Sequence, residues 1–293
     1  MGRYDELIEV EKRYDDIEEV RKYNHNHDSR GRFSSASGGG AGSSGRGKRG
    51  GIGDSNSVIP AGENNAKKLP GDPPTIGGVA AGDPMSFEEA DNGNVNPWFD
   101  DVDYLPTNAT EEDEKHAQGY QENCAAGVIA YEARLRGYDV QPKSAYGKDG
   151  KENTTMKELS DSTDMAWRTA DGKRPEIKKN GHEVESAEDI KGWLDQNMES
   201  GARYTFGFDV KSEEEIGHIV SARKTDTGEI ELYDPQVSGT YRGNDLGEFL
   251  EMIQPFTLKG GKWKGTLELT RVDNATIDGA VANKVLQEAG GDE

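Results

Sequence analysis

From Ser29 to Gly53 the chain reads SRGRFSSASGGGAGSSGRGKRGGIG, with no acidic residue and few apolar ones. Such a run cannot bury enough apolar surface to offset the entropy of ordering it. It predicts a flexible linker. The looseness continues through the LPGDPPTIGG spacer, so the linker is placed at residues 24–90. Ahead of it, RYDELIEVEK and RYDDIEEVRK form a degenerate ten-residue repeat. Leu7, Ile8, Ile17 and Val20 are its few apolar positions. Residues 1–23 therefore predict a short charged helix that stays solvated or waits for a partner. Only 32% of the chain is hydrophobic and 38 residues are glycine, too little apolar content for one globule over 293 residues. One folded domain is expected over residues 91–275, followed by a tail at 276–293.

The balance of 56 acidic against 35 basic residues gives a net charge of −21. That charge argues against broad nucleic-acid binding by the folded part and suits a basic partner. The basic linker at 30–49, with Arg30, Arg32, Arg46, Lys48 and Arg49, is where nucleic acid or an acidic surface would be met. No run of about 18 apolar residues is present and MGRYDELIEV has no apolar signal core, so no membrane contact is read. A cytoplasmic or virion-associated location follows. His25, His27 and Asp28 cluster in sequence, but nothing else converges on them, and no metal or cofactor is expected. A single cysteine excludes an intrachain disulfide framework.

Order resumes at NPWFDDVDYLP, where Trp98, Phe99, Tyr104 and Leu105 can pack. The pattern from there is α then β, an α+β domain. Cys124, Val128, Tyr131 and Leu135 lie on one helical stripe, and Gly137 is a stop signal. SAEDIKGWLDQNM predicts a second helix with Ser186 and Asp189 near a capping box. RYTFGFDV predicts a strand, GHIVSARKTDTGEIELYDP a hairpin, NDLGEFLEMI a third helix and GTLELTRVD a last strand. AVANKVLQEA predicts a trailing helix.

The hairpin register can be worked out. A loop at Thr225–Thr227 pairs Lys224 with Gly228, Arg223 with Glu229, Ala222 with Ile230, Val220 with Leu232 and His218 with Asp234. Apolar pairs then share one face. Residues opposite one another across such a ladder lie about 4.5–5.5 Å apart at Cβ, close enough for Asp234 to orient the His218 imidazole. The plainer reading is a satisfied histidine beside a strand-end aspartate that caps the turn before Pro235.

Cys124 poses the same choice. A lone cysteine on a helical stripe is usually a small apolar filler. Here it opens a helix, after an Asn123 suited to the N-cap, where the dipole favours a thiolate. A nucleophile on a helix, a base on a strand and an orienter beside the base follow the chain order of a papain-like triad.

NCAAGVIAYEARLRGYDV, then GHIVSARK with LYDPQ, then LTRVDNA, resemble in order the papain-fold toxin family called Tox-PL, over about residues 91–275. The resemblance implies a papain-like fold, with a nucleophile helix packed on an antiparallel sheet. It implies Cys124 as nucleophile, His218 as general base and Asp234 as its orienter. Many relatives carry a second cysteine three residues after the first, where this chain has Gly127. Gln118 and Gln121 are the candidates to complete an oxyanion hole. Gln118 is favoured by its six-residue spacing to the cysteine, as used in papain-like enzymes. Gln236 either binds substrate or braces its loop. The implied activity is cysteine-dependent amide hydrolysis of a protein substrate, by deamidation or peptide cleavage, with transglutaminase-like acyl transfer using the same triad. NHDSRGRFSSASGGG is similar to linkers of tailed-phage head-morphogenesis proteins. The toxin-family resemblance implies an immunity protein as partner, and the linker likeness implies phage head and portal components. The alternative reading is a non-enzymatic head-associated protein that retains the fold.

Overall fold

A computed structural model describes residues 67–91, 95–180, 183–210, 217–255, 257–259 and 262–290. The expected helix at 1–23, the Gly/Ser run, the basic segment 30–49 and the His25–His27–Asp28 cluster lie outside them. The described chain is α+β. Its centre is a six-stranded antiparallel sheet. In space the strands run Ile177–Lys179, Leu267–Arg271, Arg203–Asp209, Gly217–Lys224, Ile230–Asp234 and Gly239–Tyr241. The helix Cys124–Leu135 packs on one side of the sheet against Gly217–Lys224. Helices Ala187–Asn197 and Gly243–Glu251 pack together with the other side.

The helix Cys124–Leu135 is not amphipathic. Every residue from Ala125 to Leu135 is buried, so the expected stripe is only one of several covered faces. The polar positions within it are tolerated because they are paired. Glu132 accepts from Arg203 Nε at 2.8 Å and lies 3.7 Å from Arg136 Nη2. Gly137 ends the helix as expected, in the left-handed region at φ 94°, a conformation that glycine adopts without a Cβ penalty. Ser186 and Asp189 form the expected capping box.

Two boundaries differ from the sequence reading. Packed structure begins well before residue 91. Ile76 and Ala90 are fully buried, and Phe87–Asp91 is helical. The cause is one acidic side chain in the Pro/Gly spacer. Asp72 binds Arg136 Nη1 at 2.8 Å and accepts from the Leu69 and Ile277 amides. Tyr138 Oη donates to Pro73 O just beside it. The C-terminal segment is also part of the core rather than a tail. Thr276–Ile277 pairs with Trp167–Arg168, and Leu286–Glu288 with Val140–Pro142. The helix expected there spans Gly279–Val285, with Val281, Ala282 and Val285 buried. Among the described residues, no helix is long and apolar enough to cross a membrane.

Candidate active site

The hairpin that carries His218 and Asp234 closes differently from expectation. Lys224 pairs with Ile230, Arg223 with Glu231, Ala222 with Leu232 and Ser221 with Tyr233. Gly228 is not paired with Lys224. It lies inside the loop at φ 85°, the left-handed conformation of the third residue in a three-residue hairpin loop. Thr225 N donates across that loop to Glu229 O at 2.8 Å. The ladder is thus shifted by two residues, an even slip that leaves every side chain on its face. The expected direct pairs Val220–Leu232 and His218–Asp234 become diagonal neighbours, while Arg223 meets Glu231 at 2.7 Å. Long side chains reach across such a diagonal.

His218 and Asp234 accordingly still meet. His218 Nε2 donates to Asp234 Oδ2 at 2.7 Å. Asp234 is the last residue of its strand and is 1% exposed. Its other oxygen, Oδ1, accepts from Gln236 N at 2.9 Å, an Asx-type turn across Pro235. One oxygen of Asp234 thus closes the turn and the other meets the imidazole. The His218 ring lies edge-on to Phe208, with centroids 5.6 Å apart.

Cys124, half-buried, opens the central helix, close enough to His218 to act on the charge of its ring. Because Asp234 occupies Nε2, Nδ1 is the ring nitrogen left for the thiol. Burial of His218 opposes its charge. The Asp234 carboxylate and hydrogen bond, reinforced by Cys124, outweigh that and hold its pKa well above the ordinary 6.5. An imidazolium between a carboxylate and a sulfur is the state this arrangement favours.

Asn123 does not cap the helix with its side chain. Its Nδ2 donates instead to Asn96 Oδ1 at 3.3 Å and to Lys143 O at 3.1 Å. The first helical bond runs from Gly127 N to Asn123 O, so the Cys124 N–H has no acceptor within the helix. A Cβ on Gly127 would have Pro235 and the Gln236 amide as its nearest neighbours, so position 127 faces the turn beyond Asp234.

The three glutamines separate. Gln236 is buried, and its Nε2 donates to Gln121 O at 2.8 Å, which makes it a brace between two loops. Gln121 is buried too and donates to Phe99 O at 3.2 Å, so its amide is committed to the segment in front of it. Gln118 ends the helix Glu111–Gln118 and is half-buried. Asn96 was missed by the sequence reading. It is 3% exposed and donates to Tyr120 O at 2.7 Å and to Asn123 Oδ1 at 3.2 Å. The only sequence signal for it is a small polar residue ahead of the aromatic NPWF cluster, which does not reveal distant partners.

No protein-family model matches the sequence, and a search of curated proteins returned no match.

Proposed function

We propose that the protein is a papain-like cysteine hydrolase that cleaves a carboxamide or peptide bond of a protein substrate, of the type the Tox-PL resemblance implies. One observation carries the reading. A single imidazole is held by a buried carboxylate on one nitrogen, and the only thiol of the chain, at the N-terminal end of a buried helix, is among the groups that favour its charge. A structural histidine needs one partner. The second, placed on a half-exposed sulfur, is what nucleophilic catalysis requires.

In this mechanism the Cys124 thiolate attacks the carbonyl carbon, and the electrons of the C=O bond move to oxygen. The Cys124 N–H donates to that oxyanion, and Gln118 is the side chain best spaced to supply a second donor. The His218 imidazolium gives its Nδ1 proton to the leaving nitrogen as the C–N bond breaks. An acyl-enzyme and free ammonia or amine result. Water then adds to the thioester carbonyl and passes a proton to His218. The C–S bond breaks, and the carboxylic acid and the resting site are released. Asp234 keeps the ring in the required tautomer throughout.

Reaction with a p-nitrophenyl ester tests the reading. A burst of one nitrophenolate per protein, with a matching acyl mass on Cys124, is expected for the wild type. Cys124→Ala should lose the burst and several orders of magnitude of rate, because the triad acts as a unit. Its melting should change little, by about 1 kcal/mol. A variant that melts far lower while the ester reactivity persists would make Cys124 a packing residue and the protein a non-enzymatic one. Ammonia release from a glutamine peptide, set against chain cleavage of casein, then separates deamidase from peptidase.

A further inference from the structure

Four hydrogen-bonded links run from His218 round to Asn123, the residue before Cys124, and Asn96, like Gln236, lies outside the triad yet touches both of its loops. His218 Nε2 meets Asp234 Oδ2. Asp234 Oδ1 meets Gln236 N, and Gln236 O lies 3.4 Å from Asn96 Nδ2. Asn96 completes the run at the residue preceding the cysteine, through paired amide contacts with Asn123 at 3.2 and 3.3 Å. Its shortest bond, 2.7 Å to Tyr120 O, fixes the turn that leads into Cys124. The amide has two N–H bonds for three acceptors. The short bond to Tyr120 therefore dominates, and the long one to Gln236 is shared.

We propose that Asn96 is a positioning residue that sets the distance between the Cys124 thiol and the His218 ring. The inference rests on the hydrolase reading above. Three observations favour a positional role over simple packing. Asn96 is buried, its carbonyl and amino group are both used, and all its partners belong to the two loops that end in Cys124 and begin at Asp234. The Asn123 side chain, diverted from capping the helix, is spent on this contact. Gln236 Nε2 to Gln121 O, at 2.8 Å, ties the same two loops a second time, so removing Asn96 loosens the site without opening it.

Cys124 is the only thiol of the chain, so alkylation reads the site directly. The test is the rate of iodoacetamide addition to the full-length protein between pH 5 and 10, followed by mass. Wild type, His218→Ala and Asn96→Leu are compared well below their melting points. Leucine matches asparagine in size, removes the donors and adds no charge. The wild type should react at pH values well below a free cysteine's pKa of about 8.5, and His218→Ala should lose that low-pH limb. Asn96→Leu should slow alkylation at pH 6 by about tenfold or more. Its rate at pH 10 should match the wild type, an equality a merely destabilised protein would not show. If Asn96→Leu does not fold, Asn96→Ser, which keeps one donor, takes its place with a smaller shift in the same direction. An Asn96 variant that keeps the full low-pH limb overturns this inference alone. A wild type whose profile equals that of His218→Ala overturns the hydrolase reading and this inference with it.

Discussion

The two sides of the sheet are held by different physics. On the side of helices Ala187–Asn197 and Gly243–Glu251 the contacts are apolar and aromatic. Phe206, Phe208 and Phe249 pack with ring centroids 5.1 and 5.6 Å apart, and Tyr241 lies on Phe249 at 4.3 Å. On the side of Cys124–Leu135 the core includes buried charge: Asp72, Glu132, Arg136 and Arg203 are each at most 8% exposed and linked in one chain of ion pairs. Apolar packing tolerates small shifts. A buried ion does not, because a lost partner leaves a charge without compensation. The proposed triad sits where the two sides meet: the His218 ring lies edge-on to Phe208 of the apolar cluster, and Cys124 packs against the other cluster. A site that must hold a sulfur and an imidazole within hydrogen-bond reach gains from a rigid, ion-locked helix on one side.

The widest test of this contrast removes residues 1–90. The cut takes away Asp72 and Ile76, leaving Arg136 buried without its closest carboxylate. A loss on the order of 5 kcal/mol or more is expected, comparable with a domain's whole stability. Circular dichroism of the 91–293 fragment should show no cooperative melt, and a fragment that melts like the full chain would refute the role given to Asp72.

A narrower break is Arg136→Ala, expected to cost about 3–5 kcal/mol by denaturant titration. Replacing Asp72 and Arg136 together by apolar residues should not restore the loss. The guanidinium also satisfies Val272 O and Ala275 O, and the carboxylate the Leu69 and Ile277 amides. Each orphaned backbone group costs about 1–3 kcal/mol. Full recovery in the double variant would show the ions to be dispensable filler.

At the junction, pH separates charge from packing. The His218 pKa is raised in the folded state above its ordinary 6.5. Its charge therefore contributes fully below about pH 6.5, and the contribution fades as pH rises through the raised value. His218→Gln keeps a neutral donor for Asp234 and removes the charge. The stability gap between wild type and this variant should be about 1.5–3 kcal/mol at pH 6 and shrink on the alkaline side. A gap that is constant from pH 6 to 10 would mean that the imidazole is uncharged in the fold.

Legibility in the sequence follows the same divide. Local periodicity and caps disclosed the helices around Ala187–Asn197 and Gly243–Glu251, the central helix with its Gly137 stop, and the strands between them. The hairpin faces were legible because alternation survives an even slip, but the exact register was not, since it depended on whether Gly228 pairs or turns. His218 and Asp234 were within reach because they are 16 residues apart on one hairpin. The ion chain was not, because only its Glu132–Arg136 link has a helical spacing, while Asp72–Arg136 and Glu132–Arg203 span 64 and 71 residues with no pattern between them. Asn96 was hidden for the same reason: its partners stand 24, 27 and 140 residues away. The N-terminal end of the domain was hidden because a buried carboxylate anchors a Pro/Gly spacer to distant residues, and the C-terminal end because its two short strands pair with segments more than 100 residues away.

The smallest test concerns Gly127, one turn after the cysteine on the ion-locked side. Two glycines flank Cys124 and differ in what surrounds them. At Gly119 an added Cβ would fall 2.0 Å from Ser144 Oγ and 2.8 Å from the Ala145 and Tyr146 amides, a backbone contact that cannot yield. At Gly127 the same atom would lie 3.6 Å from Pro235 Cβ and 3.8 Å from Gln236 N, an ordinary van der Waals distance. The helix therefore does not need glycine there to admit the turn, and it carries glycine's entropic cost without a steric return. Gly127→Ala is expected to stabilise the protein by about 0.5–1 kcal/mol, the usual gain within a helix. Because the new methyl meets the turn and not the imidazole, the alkylation profile of Cys124 should stay as in the wild type. Chemical denaturation and the pH profile on one variant check both halves. Destabilisation would show that the Pro235–Gln236 turn moves closer to the helix than it stands here. A shifted profile with stability gained would show that the turn, through Gln236 N and Asp234, tunes the thiol as directly as the residues that touch it.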